Sequence, residues 1–267
     1  MPPADRPPGR PPGKASRGSP LPGAGALTLV AVAVLAAALV KGAIGFGFPT
    51  LATPLLTLFI DVKTAVVVLI LPNIVMDGLQ FSRRGAPAAT MRRFAWLLVF
   101  GALGTVLGTR VLVTLSSRTA TLTLAAFLLV FVVLNAARVS PRVPSPWEPW
   151  LSPLVGLIAG IVGGVTNVPG TPLAMYFYAL RLPKHEFVQS IAFTFLVYKT
   201  IQLGAVAYYG LLTWTSLGVA VGLTAVALAG FAVGLRVQDR LAPAAFDRAV
   251  LAFLALLGAW LLARTLW

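Results

Sequence analysis

The chain has 267 residues, of which 58% are hydrophobic and only 10% charged, and its mean hydropathy is +0.90. Soluble domains carry about 25% charged residues, so a water-soluble fold is excluded, and no length is left for a separate soluble catalytic domain. The formal charge of +14, from 21 Lys and Arg against 7 Asp and Glu, lies mostly in short gaps between apolar runs, where basic residues set membrane topology. No basic surface domain with interleaved aromatics exists, so no nucleic-acid partner is expected. The absence of Cys excludes disulfides, thiolate chemistry and iron–sulfur ligation, and the single His185 does not make a His-based zinc site. No metal and no cofactor are expected.

Residues 1–25 contain eight Pro and five Gly together with Arg6, Arg10, Lys14 and Arg17. Such a segment buries too little apolar surface to offset the entropy of ordering, and the reading is a disordered tail. A signal peptide is the alternative, with 27–40 as its apolar region and Ala36, Ala37 and Ala38 at the cleavage site. Against it, the 27–40 segment has a counterpart later in the chain.

The apolar runs that follow are 27–40, a short one at 51–60, then 64–81, 94–115 and 119–137. A Pro-rich connector with Pro141, Pro144, Pro146 and Pro149 leads to 151–165, a short 173–180, then 187–209, 211–235 and 249–263. A membrane helix needs roughly 20 residues plus a turn, so the chain holds about eight to ten helical segments. Unbroken runs of this length lack the alternation of outer-membrane strands, and helices satisfy their backbone in hydrocarbon. The fold class is an all-α polytopic membrane protein.

The order long, short, long, long, long occurs twice. Gly42, Gly45, Thr53, Pro54 and Leu55 stand 118 positions before Gly160, Gly163, Thr171, Pro172 and Leu173. Gln80 stands 122 before Gln202, and Gly108, Arg110 and Val111 stand 126 before Gly234, Arg236 and Val237. These spacings predict two homologous repeats of four to five helical segments, 26–138 and 151–267, joined by the connector 139–150.

Each repeat carries an interruption between its first two segments. The first runs from Lys41 through Gly42, Gly45 and Gly47 to Pro49 and Pro54; the second runs from Gly160 through Gly163, Gly164 and Asn167 to Pro169, Gly170 and Pro172. Pro removes a backbone donor and Gly tolerates the angles of a reversal. Each interruption is therefore expected to be an unwound stretch feeding a half-helix that starts near 49–54 or 169–172. Paired interruptions of this kind mark secondary transporters. The free N–H groups and positive dipole ends of two such tips, converging near the midplane, would bind an anion. Gly101, Gly104, Gly108, Gly218 and Gly222, in helix interiors, are read instead as packing glycines.

The first cluster, Lys41-Gly-Ala-Ile-Gly-Phe-Gly-Phe-Pro49, with Thr53-Pro-Leu-Leu and Asp61-Val-Lys-Thr-Ala-Val after it, resembles the first-repeat signature of the sulfite exporter TauE/SafE family, also called the toluene sulfonate uptake permease family. The second, Gly163-Gly-Val-Thr-Asn-Val-Pro-Gly-Thr-Pro-Leu173, is similar to the second-repeat signature. The resemblance covers about 26–267. It departs at Phe48 and Pro49, where the family more often has further glycines, and at Gly170-Thr171-Pro172, where it usually has Gly-Pro-Pro. The resemblance implies a multi-pass permease of the cell (inner) membrane for sulfite, organosulfonates or related organic anions.

Ionisable residues inside the membrane cost about 2.5 to 3.5 kcal/mol each on insertion scales and so read as functional. Lys199 lies in the middle of 187–209, and Asp77 is the one charge in 64–81, at the position equivalent to Lys199 under the alignment of Gln80 with Gln202. Three arrangements follow: a neutralising Asp77–Lys199 salt bridge; a working pair in which Lys199 attracts the anion while Asp77 takes up a proton or releases the lysine during the cycle; or Asp77 paired with Arg83 or Arg84 at the interface. Lys41 adjoins the first glycine cluster and can face either the anion site or the interface. Asn73, Asn167, Thr53, Thr171, Gln80 and Gln202 can hydrogen-bond an anion or a neighbouring helix. Arg110 and Arg236 read as interfacial anchors, and His185 and Glu186 as solvated residues of a connection.

The substrate-binding set is thus Lys41, Gly45, Gly47, Thr53, Asn73, Asp77, Gln80, Gly163, Gly164, Asn167, Gly170, Thr171, Lys199 and Gln202. The expected partners are a small anion, membrane lipid and a coupling proton or cation. The expected activity is secondary transport by alternating access. The alternatives are an anion channel, which would need a continuous polar ring, and an intramembrane enzyme, against which stand the missing HExxH, GxxxxGK[ST] and paired intramembrane carboxylates. Eight crossings in parallel repeats and ten in inverted repeats both fit; the Lys/Arg distribution, with the tail set aside, favours ten.

Overall fold

In hydrocarbon each long apolar run must pair its backbone within itself, and helices do so. The computed structural model describes residues 24–83, 92–136 and 142–237, with 259, 262, 263 and 265. Within them the chain forms α1 (Ala24–Ile44), α2 (Phe48–Leu56), α3 (Val62–Ser82), α4 (Ala95–Thr114), α5 (Ser117–Ala136), a 3-10 turn (Ser145–Trp147), α6 (Glu148–Thr166), α7 (Gly170–Ala179), α8 (Lys184–Tyr208) and α9 (Trp214–Val237). There is no strand among the described residues. Residues 1–23, Arg84 and the run at 249–263, save 259, 262 and 263, lie outside the described residues.

Among the described residues, seven helices are long and apolar enough to cross a membrane. With nine and ten residues, α2 and α7 are not; at 1.5 Å per residue they span about 14 to 15 Å, half of a hydrocarbon core. Trp96, Trp150 and Trp214 are well exposed near the starts of α4, α6 and α9, and Tyr208 is exposed at the end of α8. Aromatic rings at helix ends suit the two bilayer interfaces. Arg110 and Arg236 are also exposed, as interfacial anchors would be.

The packing is crossed. The first helix, α1, lies chiefly on α9, while α4 lies chiefly on α6, and α3 meets α8 between these pairs. Small residues allow the close approach. A Cβ at Gly42 would stand 2.9 Å from the Gly234 Cα, and one at Gly108 would stand 3.0 Å from the Gly164 Cα. A Cβ on Gly160 would meet the Gly101 carbonyl, and one on Gly101 the Tyr198 hydroxyl, which donates to the Leu97 carbonyl at 2.9 Å. The packing reading holds for Gly101, Gly104 and Gly108. At Gly218 and Gly222 a Cβ would meet no described residue within 4 Å.

Arg93 and Glu148 form a two-pronged ion pair at 2.6 and 2.8 Å where α4 and α6 begin. Its hydrogen bond raises the Arg93 pKa further above the ordinary guanidinium value. Half-exposed ion pairs contribute about 0 to 1 kcal/mol, so glycine-mediated backbone contact, rather than this bridge, sets the α4–α6 approach. His185 and Glu186 fall in the first turn of α8 rather than in a connection, because Pro183 ends the loop and opens the helix. His185 is exposed there.

Candidate functional site

Each short helix follows a backbone reversal written in the sequence. Between α1 and α2, Gly45 and Gly47 have φ of 101° and 98°, left-handed values that favour residues without a Cβ. Pro49 then sits in the first turn of α2, where its missing N–H costs nothing. Between α6 and α7, Asn167 takes the left-handed role with φ 67°, and its N–H closes α6 on the Gly163 carbonyl at 2.8 Å. Asn tolerates this region better than most residues with side chains. The half-helices begin at Phe48 and Gly170, close to the expected positions.

The two tips meet. The Asn167 side-chain amide donates to the Thr53 hydroxyl at 2.9 Å, joining the second break to α2. A Cβ on Gly170 would stand 3.7 Å from the Thr50 hydroxyl and 3.5 Å from the Phe195 ring. Apolar side chains cross in both directions: Val168 packs in a cluster with Phe48, Leu51 and Leu56, while Phe46 packs against Leu173, Phe177 and Phe195 and lies edge-on to Phe187 at 5.7 Å.

Around these tips stand Lys41, Asp77 and Lys199, the fully buried Lys, Arg, Asp and Glu side chains among the described residues. Lys41, in the last turn of α1, donates to the Asp77 carboxylate at 2.5 Å. Lys199 donates to the side-chain oxygen and backbone carbonyl of Asn167, the latter at 3.4 Å, and to the Gln202 side-chain oxygen at 2.6 Å. The bonded Asp77–Lys199 pair, one of the arrangements read from the alignment, does not form, and Arg83 does not take its place; Arg84 lies outside the described residues. Lys41 takes the carboxylate because α1 ends beside α3, whereas Lys199 turns to the buried side-chain oxygens of Asn167 and Gln202. The three charges nevertheless act on one another, and Lys41 lies 5.7 Å from the ring centroid of Phe195, one turn before Lys199.

The glutamines of α3 and α8 brace the two breaks alike. Gln80 donates to the Gly45 carbonyl at 2.6 Å; Gln202 donates to the Gly163 and Gly164 carbonyls at 3.3 Å. The Gly45 carbonyl, which Pro49 cannot pair for want of an N–H, is thereby satisfied, while the Gly163 carbonyl in the last turn of α6 gains a second donor beside the Asn167 N–H. Asn73, Asp77 and Gln80 lie at i, i+4 and i+7 on α3, all buried. Both amide atoms of Asn73, the second carboxylate oxygen of Asp77 and the side-chain oxygen of Gln80 have no hydrogen-bond partner among the described residues. A buried polar group left so costs about 1 to 3 kcal/mol, so this stripe holds unused hydrogen-bonding capacity beside the tips.

The site drew together Lys41, Gly45, Gly47, Thr53, Asp77, Gln80, Gly163, Gly164, Asn167, Gly170, Lys199 and Gln202 from the sequence-derived set. Asn73 shares the α3 stripe; Thr171 lies in the first turn of α7, and its side chain is outside the described residues. Sequence reasoning passed over Thr50 and Phe195. The signal for Phe195 was its spacing, 122 after Asn73 and one turn before Lys199.

Interrupted helices with buried charges beside them, in a multi-pass helical protein, are a feature that membrane transporters share. The family model described as Sulfite exporter TauE/SafE matches residues 29–261, and the chain belongs to this family. It is a family of transporters, not of enzymes. No curated protein and no solved structure matched the chain.

Proposed function

We propose that the protein carries small anions such as sulfite, organosulfonates or related organic anions across the cell (inner) membrane by alternating access around the two short helices. The observation that carries this reading is the meeting of two broken-helix tips beside Lys199, a fully buried cation bonded to neutral oxygens. The free N–H groups at the tips and a buried ammonium can both donate to the same ligand, an oxyanion, with the net positive charge supplied by the ammonium.

The proposed binding set is Lys199 with Asn167, Gln202, Gly163, Gly164, Gly170 and Thr171 from one side, and Thr53, Gly45, Gly47, Asn73, Gln80 and the Lys41–Asp77 pair from the other. We take 26–138 and 151–267 as repeats of one ancestral unit, with 1–25 as tail and 139–150 as connector. Two features support this: Gln80 and Gln202 make the same bond to Gly45 and Gly163, and the first helix of each unit packs on the fourth of the other. Rocking of one unit against the other would expose the tips alternately, with a proton or cation as coupling ion.

Flux in proteoliposomes tests the proposal. With sulfite, methanesulfonate and carboxylates outside, saturable uptake that responds to an imposed proton or sodium gradient is the expected result. Absence of uptake for every anion would overturn it.

A further inference from the structure

The buried centre contains two lysines and one carboxylate, so with all three ionised its side chains carry a net charge of +1. Backbone partial charges leave this balance nearly unchanged. Each break presents one helix C-terminus and one N-terminus, α1 against α2 and α6 against α7, whose opposite dipole ends offset one another. Lys41 and Asp77 neutralise each other directly. The remaining charge sits on Lys199, whose three donors meet only the neutral oxygens of Asn167 and Gln202. Hydrogen bonds of this kind satisfy the ammonium's geometry but not its charge, and an uncompensated buried ion is the arrangement proteins avoid most strongly.

From this we infer that the centre selects anions by valence, taking an oxyanion of single charge as the counter-ion of Lys199 and rejecting the doubly charged form of the same shape. The inference rests on the anion-transport reading and adds the charge of the substrate to it. The contact from Lys199 to the Asn167 carbonyl, at 3.4 Å, is its longest, and an anion oxygen replaces it at least loss. The unpartnered Asn73 amide supplies a further donor from α3, and Asp77, with one carboxylate oxygen unpartnered, opposes any second negative charge. With a monoanion bound the centre is neutral; with a dianion it carries an uncompensated negative charge in a region of low dielectric.

Methanesulfonate and methylphosphonate have nearly the same size and oxygen geometry, but the second proton of the phosphonate leaves near neutral pH. Uptake of each into proteoliposomes is measured at a pH below and a pH above that ionisation, with methanesulfonate reporting any effect of pH on the protein itself. The expected result is that methylphosphonate flux, relative to methanesulfonate, falls about tenfold or more when it becomes a dianion, the factor that follows from ~1.4 kcal/mol of lost interaction. Asp77→Asn raises the centre to +2 at a cost in stability, and the fraction that folds is expected to reverse the preference, while the double variant Lys41→Gln/Asp77→Asn returns the centre to +1, regains stability and restores the preference for monoanions. Equal flux of the dianion and monoanion in the unmodified protein would overturn the valence rule and leave anion transport standing. Absence of flux for both probes at both pH values would overturn the valence rule, and absence of uptake for sulfite and carboxylates as well would overturn anion transport with it.

Discussion

Lys199→Gln is expected to lower anion flux at least about tenfold, roughly the effect of ~1.4 kcal/mol, without lowering the thermal stability of the purified protein. Glutamine keeps much of the length and some hydrogen bonding to Asn167 and Gln202, but removes the positive charge. A salt-bridged lysine would behave otherwise, because its loss strands a buried carboxylate. Among the described residues no carboxylate is bonded to Lys199, so its neutral replacement relieves a desolvated charge rather than creating one. Flux and melting temperature in the same detergent-purified preparation separate the two outcomes. Reduced stability with unchanged flux per folded molecule would assign Lys199 a structural part only.

The Lys41–Asp77 pair predicts the opposite pattern. Both side chains are fully buried and bonded at 2.5 Å; removing one partner from such a pair costs about 3 to 5 kcal/mol. Asp77→Ala is therefore expected to destabilise the protein severely, since Lys41 and Lys199 then face each other without compensation. Removing the partner as well, in Lys41→Met/Asp77→Ala, should recover most of the loss, because an apolar replacement of a buried pair is often neutral. Thermal unfolding of both variants, compared as a double-mutant cycle, checks the coupling. A double variant no more stable than Asp77→Ala would show that Asp77 answers to another group.

Hydropathy made the long helices legible because in lipid a continuous apolar run has one good backbone solution. Pro49, Pro169 and the adjacent glycines marked the two breaks, since those residue types report backbone angles directly. The charge pairing was not legible. Asp77 and Lys199 occupy matching positions in sequence, but which cation reaches a carboxylate depends on where α1 ends relative to α3, a relation between helices distant in the chain. Phe195 was hidden because an aromatic in an apolar run looks like packing until Lys41 and Gly170 are seen against it.

The central claim is that the two tips share a pocket reached by the transported anion. The chain has no Cys, so Thr50→Cys and Gly170→Cys each place one thiol at the junction; at Gly170 a Cβ makes ordinary contacts of 3.5 and 3.7 Å. Both variants are treated in proteoliposomes with a negatively charged, membrane-impermeant thiol reagent. The account predicts labelling of both cysteines, slowed by the transported anion and not by an impermeant one. Cysteines that stay unlabelled from both sides of the membrane, or label at a rate the anion does not change, would contradict it.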